Sequence, residues 1–157
     1  MMISGLGNNT QGSSGVAQET APREALTPAK TAVILEFLHD LRSDPQADAF
    51  AVPVNWRQLG IPDYPSIVKN PMDLQTLEAK VRGEYISEGG QRFKGYAHCD
   101  EFLADLALVW SNCKLFNQIG SSIYRYAQSM ERLSNRLLVK YKLVEPAPAE
   151  VDPELAE

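Results

Sequence analysis

An all-α four-helix bundle is the fold class this sequence predicts, on three observations. Four segments repeat apolar residues at the three-and-four spacing of a helix. Capping or helix-ending residues stand where those segments start and stop. No stretch carries the strict apolar–polar alternation of a half-buried strand. Helices with one apolar stripe each must bury those stripes against one another, and four of them make a bundle.

The first helix is predicted to open with Thr27 as its N-cap and Pro28 in the first helical position, where a missing N–H costs nothing. Ile34, Phe37, Leu38 and Leu41 then share a face, and the helix should stop near Ser43. The second is predicted to begin at Asn70, with Pro71 next and Asp73 putting negative charge in its first turn. Its stripe is Leu74, Leu77 and Val81, and Gly83 ends it. The third carries Phe102, Leu106, Val109, Trp110 and Cys113. The fourth starts at Ser121 or Ser122, with Ile123, Tyr126, Ala127, Met130, Leu133 and Leu137 assigned to its buried face, and extends to about Tyr141.

The connections are unequal. Only the few residues around Asn117 to Gly120 join the third and fourth helices, whereas residues 44–69 separate the first and second. A connection of that length in a compact domain is usually functional or disordered. This one holds Phe50, Val52, Val54, Trp56, Leu59, Ile61, Tyr64, Ile67 and Val68 between Pro53, Pro62 and Pro65. Apolar groups at that density need something to pack on, and the prolines stiffen the backbone. An ordered loop folded over one end of the bundle, forming a pocket wall, is the expected result.

The chain has 157 residues, 44% of them hydrophobic and 22% charged, which suits one domain with a real core. Residues 1–26, rich in Gly, Ser, Asn, Gln and Thr, are expected to be a flexible leader. The helical domain takes residues 27–143, and residues 144–157 form an acidic, proline-rich tail. A net charge of −5 argues against nonspecific nucleic-acid binding and is compatible with basic partners. Cys99 and Cys113 have no metal-like or redox spacing and are expected as free thiols. No apolar run approaches the roughly 18 residues of a membrane span, and the first residues are not composed like a secretory signal.

Asn117 follows the last apolar turn of the third helix, and two readings of it stand side by side. Asparagine is well suited to ending a helix or making a turn. Its carboxamide can equally donate to an acyl carbonyl and accept from an amide N–H.

The ordered set Phe50-Ala51-Val52-Pro53-Val54, Pro62-Asp63-Tyr64, Asn70-Pro71-Met72-Asp73-Leu74, Asn112-Cys113, Phe116-Asn117 and Ile123 resembles the bromodomain family in order and spacing. That resemblance implies a left-handed four-helix bundle, whose long first loop and short last loop enclose a pocket for N-ε-acetyl-lysine. It implies that Asn117 donates to the acetyl carbonyl and that Tyr64 reaches the same oxygen through a water. Val54, Leu59 and Ile61 would form the apolar wall, Phe50 would lie beneath the acetyl methyl, and Ile123 would stand as gatekeeper. Cys113 and Phe116 would complete the site. The resemblance also implies a non-catalytic nuclear reader of acetylated histone tails, needing no cofactor and contacting neither nucleic acid nor membrane directly.

The sequence departs from the family pattern at several places. Where many members have Trp-Pro-Phe, with the tryptophan as a shelf at the pocket mouth, this chain has Asp48-Ala49-Phe50. Trp56 is either a partial substitute or a loop anchor. Phe116 stands where tyrosine is frequent, and Pro65 where an aromatic is frequent. The connection of residues 84–96 is longer than usual, which fits a tolerated surface insertion or a partner contact. His39, His98, Cys99 and Asp100 lack zinc-like spacing, and no phosphate loop, nucleophile elbow or catalytic carboxylate pair is visible. A degenerate bundle acting as a protein-interaction scaffold is the alternative reading.

Overall fold

Thr27 opens the first helix as its sequence suggests. In the computed structural model, which describes residues 23–146, its hydroxyl oxygen accepts from the Lys30 N–H at 3.1 Å. Helix α1 (Pro28–Arg42) buries Ile34, Phe37, Leu38 and Leu41, and Ser43 caps it. Most of the expected leader and all but the start of the expected tail fall outside the described residues.

Helix α2 (Leu74–Arg82) starts four residues later than the sequence suggested. Asp73 is not a first-turn charge but the N-cap itself. Its carboxylate accepts from the Thr76 N–H at 2.9 Å and from the Thr76 hydroxyl, so a side chain only 5% exposed is fully engaged. Residues 70–73 stay out of the helix, and the Asn70 carbonyl is taken by Asn112. Gly83 ends α2 at φ +72°, a left-handed conformation that favours glycine at a helix end.

Helix α3 (Cys99–Phe116) buries Cys99, Phe102, Leu106, Val109, Trp110 and Asn112. Glu101 secures its start by accepting from the Ala97 and His98 N–H groups. Helix α4 (Ser122–Lys140) follows Ser121 as N-cap. Its buried positions are Ala127, Met130, Ser134 and Leu138, while Ile123, Leu133 and Leu137 are only partly buried. Tyr126, assigned above to the buried face, is 43% exposed. The true stripe runs through Ala127 and Ser134, small residues that let α4 approach its neighbours, and Tyr126 lies on its flank.

The four helices pack in a ring, α1 on α2, α2 on α3, α3 on α4 and α4 on α1. Phe37 sits edge-on to Phe102 at 6.2 Å and to Tyr141 at 6.4 Å, tying α1 to α3 and to the end of α4. Each such fully buried large apolar side chain contributes about 1.5–3 kcal/mol. Among the described residues there is no strand, only isolated bridges.

Residues 23–26, within the stretch expected as leader, lie against the start of α3. Leu26 N–H donates to the Ala97 carbonyl, the Cys99 N–H donates to that of Glu24, and the Arg23 guanidinium meets Asp100 at 2.8 Å. The Cys99 donor belongs to the first turn of a helix and has no partner within it, which is why a passing segment binds there.

The long first connection is ordered, with a 3₁₀ turn (Pro45–Phe50) and short helical turns at Trp56–Leu59 and Tyr64–Ile67. Ala47, Phe50, Tyr64 and Val68 are its buried anchors. The lengthened 84–96 connection doubles back, pairing Ile86 with Arg92, and folds Phe93 and Tyr96 over Lys80. The Lys80 ammonium lies 4.6 Å from the Phe93 ring centre and 5.5 Å from that of Tyr96. It pairs with Asp105 at 2.7 Å, and the Tyr96 hydroxyl donates to the same carboxylate at 2.6 Å. With Lys80 and Asp105 side chains 17% and 19% exposed, this is a partly desolvated network.

Asp105→Ala strands that cation and the phenol together. We expect it to lower unfolding free energy by about 1–3 kcal/mol in urea titrations, with the 84–96 connection losing hydrogen-exchange protection first.

Candidate functional site

At the end of α3 the long connection and the α3–α4 turn enclose a cavity of about 210 Å³. The connection supplies Phe50, Val54, Leu59, Ile61 and Tyr64; α3 and its cap supply Cys113, Phe116 and Asn117; α4 supplies Ile123. All nine candidate residues named from the sequence thus line one space. Six more share it: Ala49, Val52, Met72, Asp73, Val109 and Asn112. Val109 could have been found as the residue one turn before Cys113. Met72, Asp73 and Asn112 lie within runs already singled out, but nothing in their type distinguishes a lining from a packing role.

Two aromatic contacts hold the floor. Phe50 sits edge-on to Trp110 at 5.2 Å, and Tyr64 meets Phe116 at 5.0 Å. One side-chain and one backbone hydrogen bond fix the connection in place. Asn112 Nδ2 donates to the Asn70 carbonyl at 2.8 Å, and the Gln75 N–H donates to that of Ala51 at 3.0 Å. Val52, Val54 and Leu59 remain 56%, 40% and 65% exposed although apolar, so the wall they form is unfilled. Pro53 and Pro62, which restrict the backbone around this stretch, help to keep it from collapsing inward.

Asn117 caps α3. Its backbone N–H donates to the Cys113 carbonyl at 3.0 Å, and its Nδ2 donates to the same oxygen at 2.9 Å and to the Cys113 sulfur at 3.6 Å. A carbonyl only accepts, so the NH₂ end of the carboxamide must face it. Sulfur is a weak acceptor that a carbonyl can outbid, and the Oδ1 of Asn117 has no partner among the described residues. The helix-ending role and a binding role are therefore compatible in one side chain.

Burial pushes the Tyr64 hydroxyl above its usual range, with the Cys113 sulfur adding to the effect, so the phenol stays protonated at neutral pH. Burial likewise raises the Cys113 thiol, against smaller opposing effects of Asn117 and Lys114. The thiol contacts the Ile123 carbonyl at 3.5 Å, linking α3 to the first turn of α4. No Lys, Arg or His lines the cavity, and its one carboxylate, Asp73, is committed to capping α2. The space can host a neutral group with an apolar body and a carbonyl acceptor. It offers an incoming ammonium little in return for its lost hydration.

Trp56 does not line the cavity; its ring carries the Arg57 guanidinium at 4.4 Å. Asp48 does not line it either, and Ala49 takes the rim beside Phe50. Among the described residues no three of His, Cys, Asp and Glu gather as a metal site.

Asn112→Ala removes the strut between α3 and the connection and leaves a carbonyl unpaired. A loss of about 1–2 kcal/mol in unfolding free energy is expected, with faster hydrogen exchange in residues 50–70. Cys113 should react with iodoacetamide at neutral pH more slowly than a free cysteine, and more slowly still with a pocket ligand bound. A labelling time course by intact mass checks this, and alkylation at the free-thiol rate would contradict the buried, protonated thiol described above.

The bromodomain family profile matches residues 34–129. Histone acetyltransferase GCN5 of Debaryomyces hansenii is 30% identical over 102 residues, covering 65% of this chain and 20% of that protein. The SWR1 complex bromodomain subunit bdf1 of Schizosaccharomyces pombe is 32% identical over 113 residues, 72% of this chain and 18% of the relative. Bromodomain-containing factor 1 of Candida albicans is 28% identical over 137 residues, 85% and 17% respectively. The chain therefore spans about a fifth of the length of these relatives. With the profile covering well over half of its residues, the helices in the expected order and the pocket at the expected end, the chain belongs to the bromodomain family.

Proposed function

We propose that this domain binds N-ε-acetyl-lysine on histone tails and recruits chromatin or transcription machinery to them without catalysing a reaction. The observation that carries this reading is the Asn117 carboxamide, whose Nδ2 meets besides the Cys113 carbonyl only the weakly accepting Cys113 sulfur, in an apolar cavity without a cation. Acetylation converts a strongly hydrated ammonium into a neutral amide with one good acceptor. A site of this composition admits the modified side chain and penalises the unmodified one. Asn117 donates to the acetyl oxygen, and Tyr64 reaches it through a water, which can bridge almost as favourably as a direct bond. Phe50, Val54, Leu59 and Ile61 surround the acetyl group and stem. Cys113 and Phe116 close the floor, and Ile123 stands beside the lysine stem.

The names of the relatives, a histone acetyltransferase and a subunit of a chromatin complex among them, support a nuclear setting and acetylated histone tails as partners. The alternative, a bundle that serves only as an interaction scaffold, is favoured by the absence of the aromatic shelf at Asp48-Ala49. The Asn117 amide, held in part only by a weakly accepting sulfur, and the unfilled wall favour the reader.

Titration of acetylated and unmodified histone-tail peptides against the wild type and Asn117→Ala separates the two. The reader should bind only acetylated peptides, with micromolar to millimolar dissociation constants of the order expected for about ten inserted heavy atoms. Asn117→Ala should weaken that binding about tenfold or more. Wild-type binding that ignores acetylation would leave the scaffold reading standing.

A further inference from the structure

Beside the cavity, across Ala49, lies a second and more open groove lined by Pro45, Gln46, Asp48, Ala49 and Tyr126. We propose that it seats a lysine or arginine side chain of the same ligand, next to the acetyl-lysine, and that this cation is what the domain reads in place of a shelf contact. The inference rests on the acetyl-lysine reading and names the class of peptide that site takes.

Ala49 belongs to both linings, so the two spaces share a rim. An extended peptide advances about 3.3–3.6 Å per residue, so a side chain within about two positions of the acetyl-lysine reaches the groove. Asp48 is the one charged residue in its lining; it is exposed and forms no ion pair among the described residues. Tyr126 stands one turn beyond Ile123 on α4, the spacing that puts two side chains on the same flank, and it is 43% exposed. A carboxylate beside an open aromatic ring suits a cation, which pairs with the first and lies over the face of the second. No cation lines either space to oppose it. Arg125 precedes Tyr126 but lines neither.

Neither residues 1–22 nor residues 147–157 contain a single Lys or Arg, so those flanking segments bring no cation to the groove. Arg23, the first cation in the sequence, is held at the far end of α3 by Asp100.

The test uses the whole chain and short peptides with one acetyl-lysine flanked on both sides by Arg or by Ala, each with an unmodified-lysine counterpart, titrated at low and high salt. The Arg-flanked acetylated peptide should bind about threefold to tenfold more tightly than the Ala-flanked one, with the gap narrowing at high salt. Asp48→Asn should close most of that gap. Tyr126→Ala should narrow it, while Tyr126→Phe, which keeps the ring, should retain it. Acetyl-dependent binding with equal affinity for the two flanks overturns the groove proposal and leaves the reader standing. An Arg preference that survives Asp48→Asn also overturns it. Loss of acetyl dependence in every peptide overturns both.

Discussion

The Asn112 carboxamide reaches back 42 residues along the chain to the Asn70 carbonyl, and the pocket exists on the terms that bond sets. On one side is α3, a rigid element whose last turn presents Cys113, Phe116 and Asn117. On the other is a connection with too few long elements to hold a shape by itself. The bond fixes the point at which that connection turns into α2, and Asp73 caps α2 three residues further on. Phe50 against Trp110 and Ala51 to Gln75 fasten its other stretch. Between these fixed points Val52, Val54 and Leu59 are held away from the core, so an apolar wall stays open to solvent at a cost the rest of the fold offsets.

Much of this was legible in the residues. The caps at Thr27, Gly83 and Ser121 act through bonds within a few positions, so local sequence announces them. The start of α2 was misplaced because Asn-Pro and Asp are both good openers, and the choice was made at long range, by Asn112 drawing off the Asn70 carbonyl. Tyr126 was misassigned because a three-and-four pattern with six apolar residues is wider than the face a neighbouring helix can cover. Ser134, which is polar, lies in the seam instead. The pairing of residues 23–26 with the start of α3 left no trace in composition, since its ladder runs through backbone groups that every residue has and its one ion pair to Asp100 joins residues 77 positions apart.

The pocket residues named from the sequence came largely from an ordered resemblance, and the structure gathers them around one cavity. What pattern alone did not reveal is how Asn117 divides its hydrogen bonds. The carbonyl and, more weakly, the sulfur of Cys113 hold its Nδ2 at the helix end, so the same residue that terminates α3 is preoriented by doing so. A side chain fixed by its own helix loses little freedom on meeting a ligand.

The strap of residues 23–26 has a mechanical consequence. It is bonded at Ala97 and Cys99, one end of an 18-residue helix, while Asn117 marks the other end, about 27 Å away at the usual rise per residue. Polypeptide arriving at Arg23 is moored at the root of α3, and a pull on it loads that root rather than the loops around the mouth. The tether and the opening are on opposite ends of one rod, and residues 23–26 lie at the end away from the pocket.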